Sequence, residues 1–398
     1  MRILTLTSTL PRFHGDIQAD FVGEQARAWL SARPDDQITI LAPHDSLAQR
    51  REKQDRLQIA RFRYFLPESW QALAYPAILP NVRRNPLLAL QILPFLLAQA
   101  HSARKIVRSK GIDLIYAHWV MPQGLVALWL KKRLGVPYIL QTHSSDLAIF
   151  NKASKPGRSL ARSILRESSH FFCVNSSQLE LALSYLPCDE RKSFAAKSSV
   201  LPMGVAEIAP VSSKQVVFDI GTIGRLSRKK GLDLLIAAAE SLASDGIKPR
   251  IAIAGDGEEA AKLKSLVKLA DIHFPGFLVG EAKEAYLNSC ARFAFPAKAA
   301  GDDVEGMPVA LLEAMMRGQS VLASTDTNIA MLPEWPLIKD DLIFVRDPAN
   351  INELILGIQE LLARAPGSAQ TAASVLARYR WDRLIEEYLV AIETALAC

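Results

Sequence analysis

The 398-residue chain reads as an α/β protein built from two Rossmann-like, doubly wound domains. Three observations predict this. Short apolar runs alternate with longer helix-period stretches through both halves, the pattern of parallel strands joined by helices. The length exceeds one ordinary core and suits two domains of roughly 200 residues each. A polar, proline-containing stretch at 203–214 separates the two series and reads as the linker.

In the first half the strand candidates are 3–7, 37–42, 114–117, 138–141, 171–174 and 199–201. In the second they are 216–220, 250–254, 272–274, 293–295 and 320–323. Two segments depart from the pattern. Residues 61–80 are rich in aromatics and prolines, and 85–108 read as an apolar helix ending in a basic turn. Such a helix either buries its stripe or lies on a membrane interface; burial is favoured, because a surface helix with one apolar face packed inward is the commoner case.

Composition excludes several classes. With 49% hydrophobic residues and a mean hydropathy of +0.11, the chain is globular rather than disordered. No uninterrupted apolar run reaches the about 18 residues that span a bilayer. The first residues, 1–7, read as a buried strand and not a secretory leader. Cys173, Cys188, Cys290 and Cys398 show no metal-binding or Cys-x-x-Cys spacing, which points to a reduced, cytoplasmic protein. Residues 1–205 hold 27 Lys/Arg against 15 Asp/Glu, whereas the remainder holds 20 against 26. A basic first half suits an anionic membrane surface or a phosphate-bearing acceptor. Nucleic acid is disfavoured, because no nucleic-acid-binding motif accompanies the charge.

The most informative stretch is 305–318, EGMPVALLEAMMRG. Pro308 suits a first helical position and Gly318 the residue just past the end. Glu305 is then expected in the preceding loop and Glu313 on the second turn, with the free amides of Met307, Val309 and Ala310 at the positive helix end, where a phosphate is stabilised. Carboxylates that bind hydroxyls beside a phosphate-binding terminus suit a sugar nucleotide. Two Glu at this interval also arise by chance; the flanking Gly306, Met307, Pro308 and Gly318 supply the context that makes a motif. Upstream, Arg225 and Lys230 follow a strand and the glycines Gly221 and Gly224, read as a tight turn. Two fixed cations there would stabilise charge developing on a departing diphosphate. Arg228 and Lys229, between them, read as a solvated basic patch. His143 and His118 each follow a strand in the first half, His143 with Asp146 close by.

These segments resemble the retaining glycosyltransferases of family 4, of the bacterial polysaccharide and lipopolysaccharide type, which have the two-domain GT-B fold. Glu305 and Glu313 match the family's Glu-x7-Glu signature. Gly224-Arg225-Leu226 with Lys230-Gly231 resembles its diphosphate loop, and 142–146 its His-Gly-x-Asp segment, with Ser144 where the family usually has Gly. The resemblance implies two domains facing across a cleft: 1–205 binding acceptor, 206–375 binding donor, and a terminal helix within 376–398, beginning near Trp381, that crosses back to the first domain. It implies that Glu305 contacts donor-sugar hydroxyls, Glu313 the ribose, Arg225 and Lys230 the diphosphate, and His143 the donor sugar or its departing oxygen. Gly306, Met307, Pro308 and Val309 would line the donor site, and Gly257 and Phe277 would lie near the base. Gly15 matches a glycine-rich loop that here keeps a single glycine, and His118 and Asp146 are acceptor-side candidates. The implied activity is a metal-independent hexosyltransferase with no cofactor, a UDP- or GDP-sugar donor and a glycan or lipid-linked acceptor. It would work in the cytoplasm, peripheral on the inner face of the membrane. A nucleotide-sugar epimerase, a sugar-phosphate synthase or a non-catalytic nucleotide-sugar binder are the competing readings.

Overall fold

The computed structural model describes residues 1–13, 15, 16, 18, 20–143, 146–150, 155–206, 216–301 and 305–397. It contains two compact units, Met1–Gly204 with Trp381–Cys398, and Val205–Arg380.

Among the described residues, the first unit is built on an eight-stranded sheet. Its strands are β1 (Arg2–Leu6), β2 (Gln37–Pro43), β3 (Arg51–Gln54), β4 (Leu57–Phe62), β5 (Leu114–His118), β6 (Tyr138–Gln141), β7 (His170–Cys173) and β8 (Ser198–Val200), in spatial order β3-β4-β2-β1-β5-β6-β7-β8. All neighbours pair in parallel except β3, which runs antiparallel to β4 along the edge. The central strands are buried on both faces, so they read as continuous apolar runs. The edge pair β3–β4 is absent from the sequence reading, because the Arg51-Glu52-Lys53-Gln54 strand carries no apolar alternation. Its charges suit an exposed edge.

The terminal helix Trp381–Ala397 packs against the helix Phe21–Ala32 within this unit. Tyr388, fully buried, accepts a hydrogen bond from Gln141 Nε2 at 2.9 Å. Gly204 lies under the Trp381 ring so closely that a Cβ there would sit 2.4 Å from it.

The apolar segment after residue 85 differs from expectation. It is a 3₁₀ stretch, Pro86–Gln91, running into the helix Ile92–Lys110, which Gly111 ends in the left-handed conformation (φ 59°). Burial holds for one stripe only. Phe95, Gln99, Ala103 and Val107 are buried, whereas Leu87, Leu90, Leu93 and Leu97 are 72, 74, 63 and 62% exposed. Counted as a helix rather than an unbroken run, Pro86–Lys110 also contains an 18-residue window with the mean hydropathy, 1.3, of a membrane span.

Among its described residues the second unit holds six parallel strands: β9 (Phe218–Ile223), β10 (Ile251–Ala254), β11 (Ile272–Gly276), β12 (Cys290–Phe295), β13 (Val321–Ser324) and β14 (Leu342–Val345), in order β11-β10-β9-β12-β13-β14. Chain order within the sheet is thus 3-2-1-4-5-6, the dinucleotide-fold arrangement, which reverses between its first and fourth strands. Strand β14 is missing from the sequence reading, and β9 begins and ends later than expected.

Candidate active site

In open α/β sheets ligands bind outside the carboxyl ends of the strands, at the point where strand order reverses. In the second unit that point is the β9/β12 boundary. A pocket lies there, lined by Thr222, Ile223, Gly224, Arg225, Lys230, Leu232, Ala254, Phe295, Ala297 and Pro308. Ile223, Ala254 and Phe295 are the last residues of three adjacent strands.

Residues 221–223 are strand, not the tight turn expected from the glycines. Gly221 is required by packing: a Cβ there would meet Cys290 Sγ at 2.5 Å. The turn begins at Gly224, and two other glycines permit it. Gly255 (φ +135°) brings its backbone so close that a Cβ would stand 1.8 Å from Gly224 O, and Gly231 (φ +64°) does the same against Pro296 O. Leu226 N donates to Asp256 O at 2.9 Å and Gly255 N to Gly276 O at 2.8 Å. Three strand-end loops, carrying Arg225, Gly257 and Phe277, are therefore laced together by backbone.

The helix of the Glu-x7-Glu segment is Val309–Met316. Pro308 is its N-cap rather than its first residue. Gly318 (φ +73°) ends it, with Gly318 N donating to Met315 O and Gln319 N to Ala314 O, closing the last carbonyls. By helix geometry the amides of Val309 and Ala310 point out of the positive end. Asn328, itself left-handed (φ 60°), donates from Nδ2 to Glu305 O (2.8 Å) and Gly306 O (3.0 Å), fixing the loop before the helix.

Both carboxylates are buried, Glu305 at 7% exposure and Glu313 at 6%. Lys230 Nζ lies 3.0 Å and Lys229 Nζ 3.7 Å from Glu305 Oε1. Lys229 is thus no solvated bystander, contrary to the sequence reading; its side chain is 19% exposed and turned to the carboxylate. Burial works to raise the Glu305 carboxyl, but Lys230 and then Lys229 outweigh it and hold the group below the usual carboxylate range. Among the described residues Oε1 meets the two lysine ammonium groups and no neutral donor. A buried acceptor of this kind is matched to a donor such as a hydroxyl. Glu313 Oε1 accepts from Lys283 Nζ at 2.6 Å, and Arg225 pairs with Glu258 at 3.0 Å. Lys283 and Asn328 escaped the sequence reading, since a lysine on a helix and an asparagine in a loop carry no signal until the fold brings them to Glu313 and Glu305.

In the first unit, strand order reverses between β1 and β5, and His118 ends β5. His118 Nδ1 and His143 Nε2 are 3.0 Å apart and their rings are stacked. Phe21 and Trp119 complete the enclosure of His143, each ring centroid 4.7 Å away. Burial pushes His143 down to about 3, and burial together with its neighbour holds His118 well below its ordinary value. Both rings are therefore neutral at physiological pH. Both acceptor-side candidates lie inside the unit rather than on its surface. His118, 1% exposed, stands behind His143 and faces no solvent. Asp146 is buried and organises the loop: Oδ2 accepts from Val120 N (2.9 Å), and Oδ1 from Thr142 Oγ1 (2.5 Å) and His143 N (3.3 Å). Gly15 is left-handed (φ +85°) with open space at its Cβ position. Ser144, Ser145 and most of the expected linker lie outside the described residues.

Two family models together match most of the chain. Residues 24–205 match the model of Glycosyltransferase Family 4, and residues 209–371 match that of Glycosyl transferases group 1. The chain belongs to the family 4 glycosyltransferases. This family 4 chain is similar to TuaC of Bacillus subtilis, named for teichuronic acid biosynthesis, at 26% identity over 68% of this chain and 62% of that one. It is similar to WcaL of Salmonella typhimurium, named for colanic acid biosynthesis, at 36% identity over 56% and 55%. The chain thus spans less than two thirds of the length of these relatives. Among solved structures, HepE of Anabaena in complex with UDP-glucose aligns over 100% of both chains with a TM-score of 0.66 at 16% identity. That likeness identifies the fold as the two-domain GT-B fold.

Proposed function

We propose that this family 4 member is a retaining glycosyltransferase that moves a sugar from a nucleoside diphosphate to a hydroxyl of a glycan or lipid-linked acceptor. One observation carries the reading: two lysines converge on the buried Glu305 carboxylate at the amino end of a helix whose second turn buries Glu313. A diphosphate offers Lys230 and Arg225 new anionic partners. Released from Lys230, Glu305 accepts hydroxyls of the donor sugar, while Glu313, aimed by Lys283, accepts those of the ribose. Gly224, Gly306, Met307, Pro308 and Val309 supply backbone around the phosphates, and the loops of Gly257 and Phe277 flank the base.

In the reaction the bond from the anomeric carbon to the diphosphate oxygen breaks, and the acceptor oxygen bonds to that carbon from the same face. The acceptor's proton passes to the departing phosphate oxygen. Lys230, Arg225 and the helix terminus take up the developing charge, so no metal ion is required. Because Glu305 accepts hydroxyls of the bound sugar, it is not placed as a covalent nucleophile. His143 offers a neutral ring nitrogen rather than an imidazolium. The second unit is the donor-binding unit in this scheme and the first the acceptor-binding one.

The UDP-glucose bound by HepE makes uridine nucleotides the first donors to try. A true donor at 100 times its Kd should add about 2.7 kcal/mol to stability in a thermal-shift screen. With that donor and an extracted glycolipid, proton NMR of the first-formed product should show the donor's anomeric configuration retained, and activity should survive EDTA. An inverted centre, activity that EDTA abolishes and magnesium restores, or donor hydrolysis without transfer would overturn the proposal.

A further inference from the structure

The solvent face of residues 83–110, from the last turn of the short helix Ile78–Arg84 through Pro86–Lys110, is apolar over 87–97 and basic at both ends. In the 3₁₀ stretch residues three apart eclipse, which aligns Leu87 with Leu90; in the following helix residues four apart align Leu93 with Leu97. All four are more than 60% exposed. The same line continues through His101 to Arg104, Lys105 and Arg108, all exposed, and the turn before it exposes Arg83 and Arg84. From residue 69 to residue 112 there are six Lys/Arg and no Asp or Glu. Trp70, 64% exposed, lies beside the face, its carbonyl accepting from Gln91 Nε2 at 2.7 Å.

We propose that this face docks the first unit on an anionic lipid bilayer, with the helix lying in the plane of the interface. Leucines between flanking arginines match the acyl boundary between phosphate headgroups. A second copy of the chain is a poor occupant, because in either orientation it would set arginines and lysines of one face against those of the other. Crossing the bilayer is excluded by the opposite stripe. Phe95 packs on Phe62 and Tyr64 at centroid distances of 5.0 and 5.3 Å, and Gln99 donates to Thr7 O at 3.2 Å. A spanning helix would strip that cover from β1 and β4.

The test is flotation of the whole chain with phosphatidylglycerol–phosphatidylcholine vesicles against phosphatidylcholine alone. Binding should require the anionic lipid, weaken as salt rises and be released by carbonate. Each surface cation accounts for about a fivefold change in partition, so Arg83→Gln with Arg84→Gln should lower it roughly 30-fold. Leu90→Ser, Leu93→Ser and Leu97→Ser together should reduce it to background without lowering Tm, since these side chains are exposed. Leu356→Ser and Val390→Ser, exposed elsewhere, should change nothing. Equal binding to both vesicles, binding indifferent to the leucine changes, resistance to carbonate, or self-association without lipid that the leucine changes dissolve would each overturn the proposal. No readout involves sugar transfer, so failure here leaves the proposed reaction standing, and the reverse also holds.

Discussion

Lys230→Ala separates a structural ion pair from a phosphate-binding group, because the two roles fail in different ways. The lysine stands 3.0 Å from Glu305 Oε1, and the carboxylate, 7% exposed, cannot recover the loss from water. Lys229 remains at 3.7 Å. The cost should be about 2 kcal/mol, inside the range for an unsatisfied buried polar group and below that for a wholly orphaned buried charge. For a unit of this size that is a fall in Tm of roughly 4–8 °C. The sign with pH follows from Glu305 being held below its ordinary 4.5. A depressed carboxyl stabilises above the unfolded pKa and loses that contribution as pH falls through the folded value. The gap between wild type and variant is therefore full at pH 7 and closes in the acid range. Glu305→Gln should restore much of the stability to Lys230→Ala, a coupling of roughly 0.5–3 kcal/mol. Calorimetric titration then tests the second role: loss of one charge-assisted contact, about 1.5–3 kcal/mol, should weaken UDP or GDP roughly 10- to 150-fold and leave the nucleoside unchanged. A variant that loses stability but keeps the wild-type ratio of diphosphate to nucleoside affinity would reduce Lys230 to a salt-bridge partner and refute its assignment.

Three further outcomes follow from the same geometry. Glu313→Ala should weaken nucleotide and nucleoside alike by about tenfold, with Lys283→Met in the same direction, whereas Glu305→Gln should spare nucleotide affinity and depress turnover; wild-type binding and turnover in both glutamate variants would remove them from the site. Burial lowers His143 from 6.5 to about 3 and His170 to about 4, so the native state favours the neutral rings. Their contribution is complete above about pH 6.5 and is lost as pH falls toward 3; His143→Gln should flatten Tm against pH in that window, and an unchanged slope would contradict the burial argument. Asp146→Ala, which frees three donors in a buried loop, should lower stability by about 3 kcal/mol; in denaturant titration, a loss under 1 kcal/mol would return Asp146 to the acceptor-side candidates.

The parts of the fold legible in sequence are those whose burial is symmetric. Strands such as Tyr138–Gln141, covered on both faces, cannot be mistaken for solvent-facing segments. The edge strand Arg51–Gln54 has no such constraint, since all its side chains except Glu52, which pairs with Arg61 at 3.1 Å, are exposed. Pro86–Lys110 misleads for a related reason. An apolar residue gives the same signal whether it faces the core, as Phe95 does, or solvent, as Leu93 does, and only the packed domain shows that the leucines outnumber the room available to them.

At the candidate site the sequence reveals charges but not their partners. Arg225, Lys230, Glu305 and Glu313 stand out by spacing, yet the chemistry depends on which cation meets which carboxylate: Lys230 with Glu305, Lys283 with Glu313, Arg225 with Glu258. These pairs are unequal. Arg225–Glu258 is about one-third to one-half exposed, so screening makes its exchange cheap. Lys230–Glu305 lies in a buried setting, where separating the charges is favourable only if both receive new partners together. A sugar attached to a diphosphate supplies an anion for the lysine and hydroxyls for the carboxylate in one molecule; free phosphate or free sugar supplies one of the two. The pair therefore couples the two halves of the donor. By linkage, a nucleoside diphosphate that draws Lys230 away should raise the affinity for free sugar, and sugar that for the diphosphate, whereas independent binding of the two pieces would refute the argument.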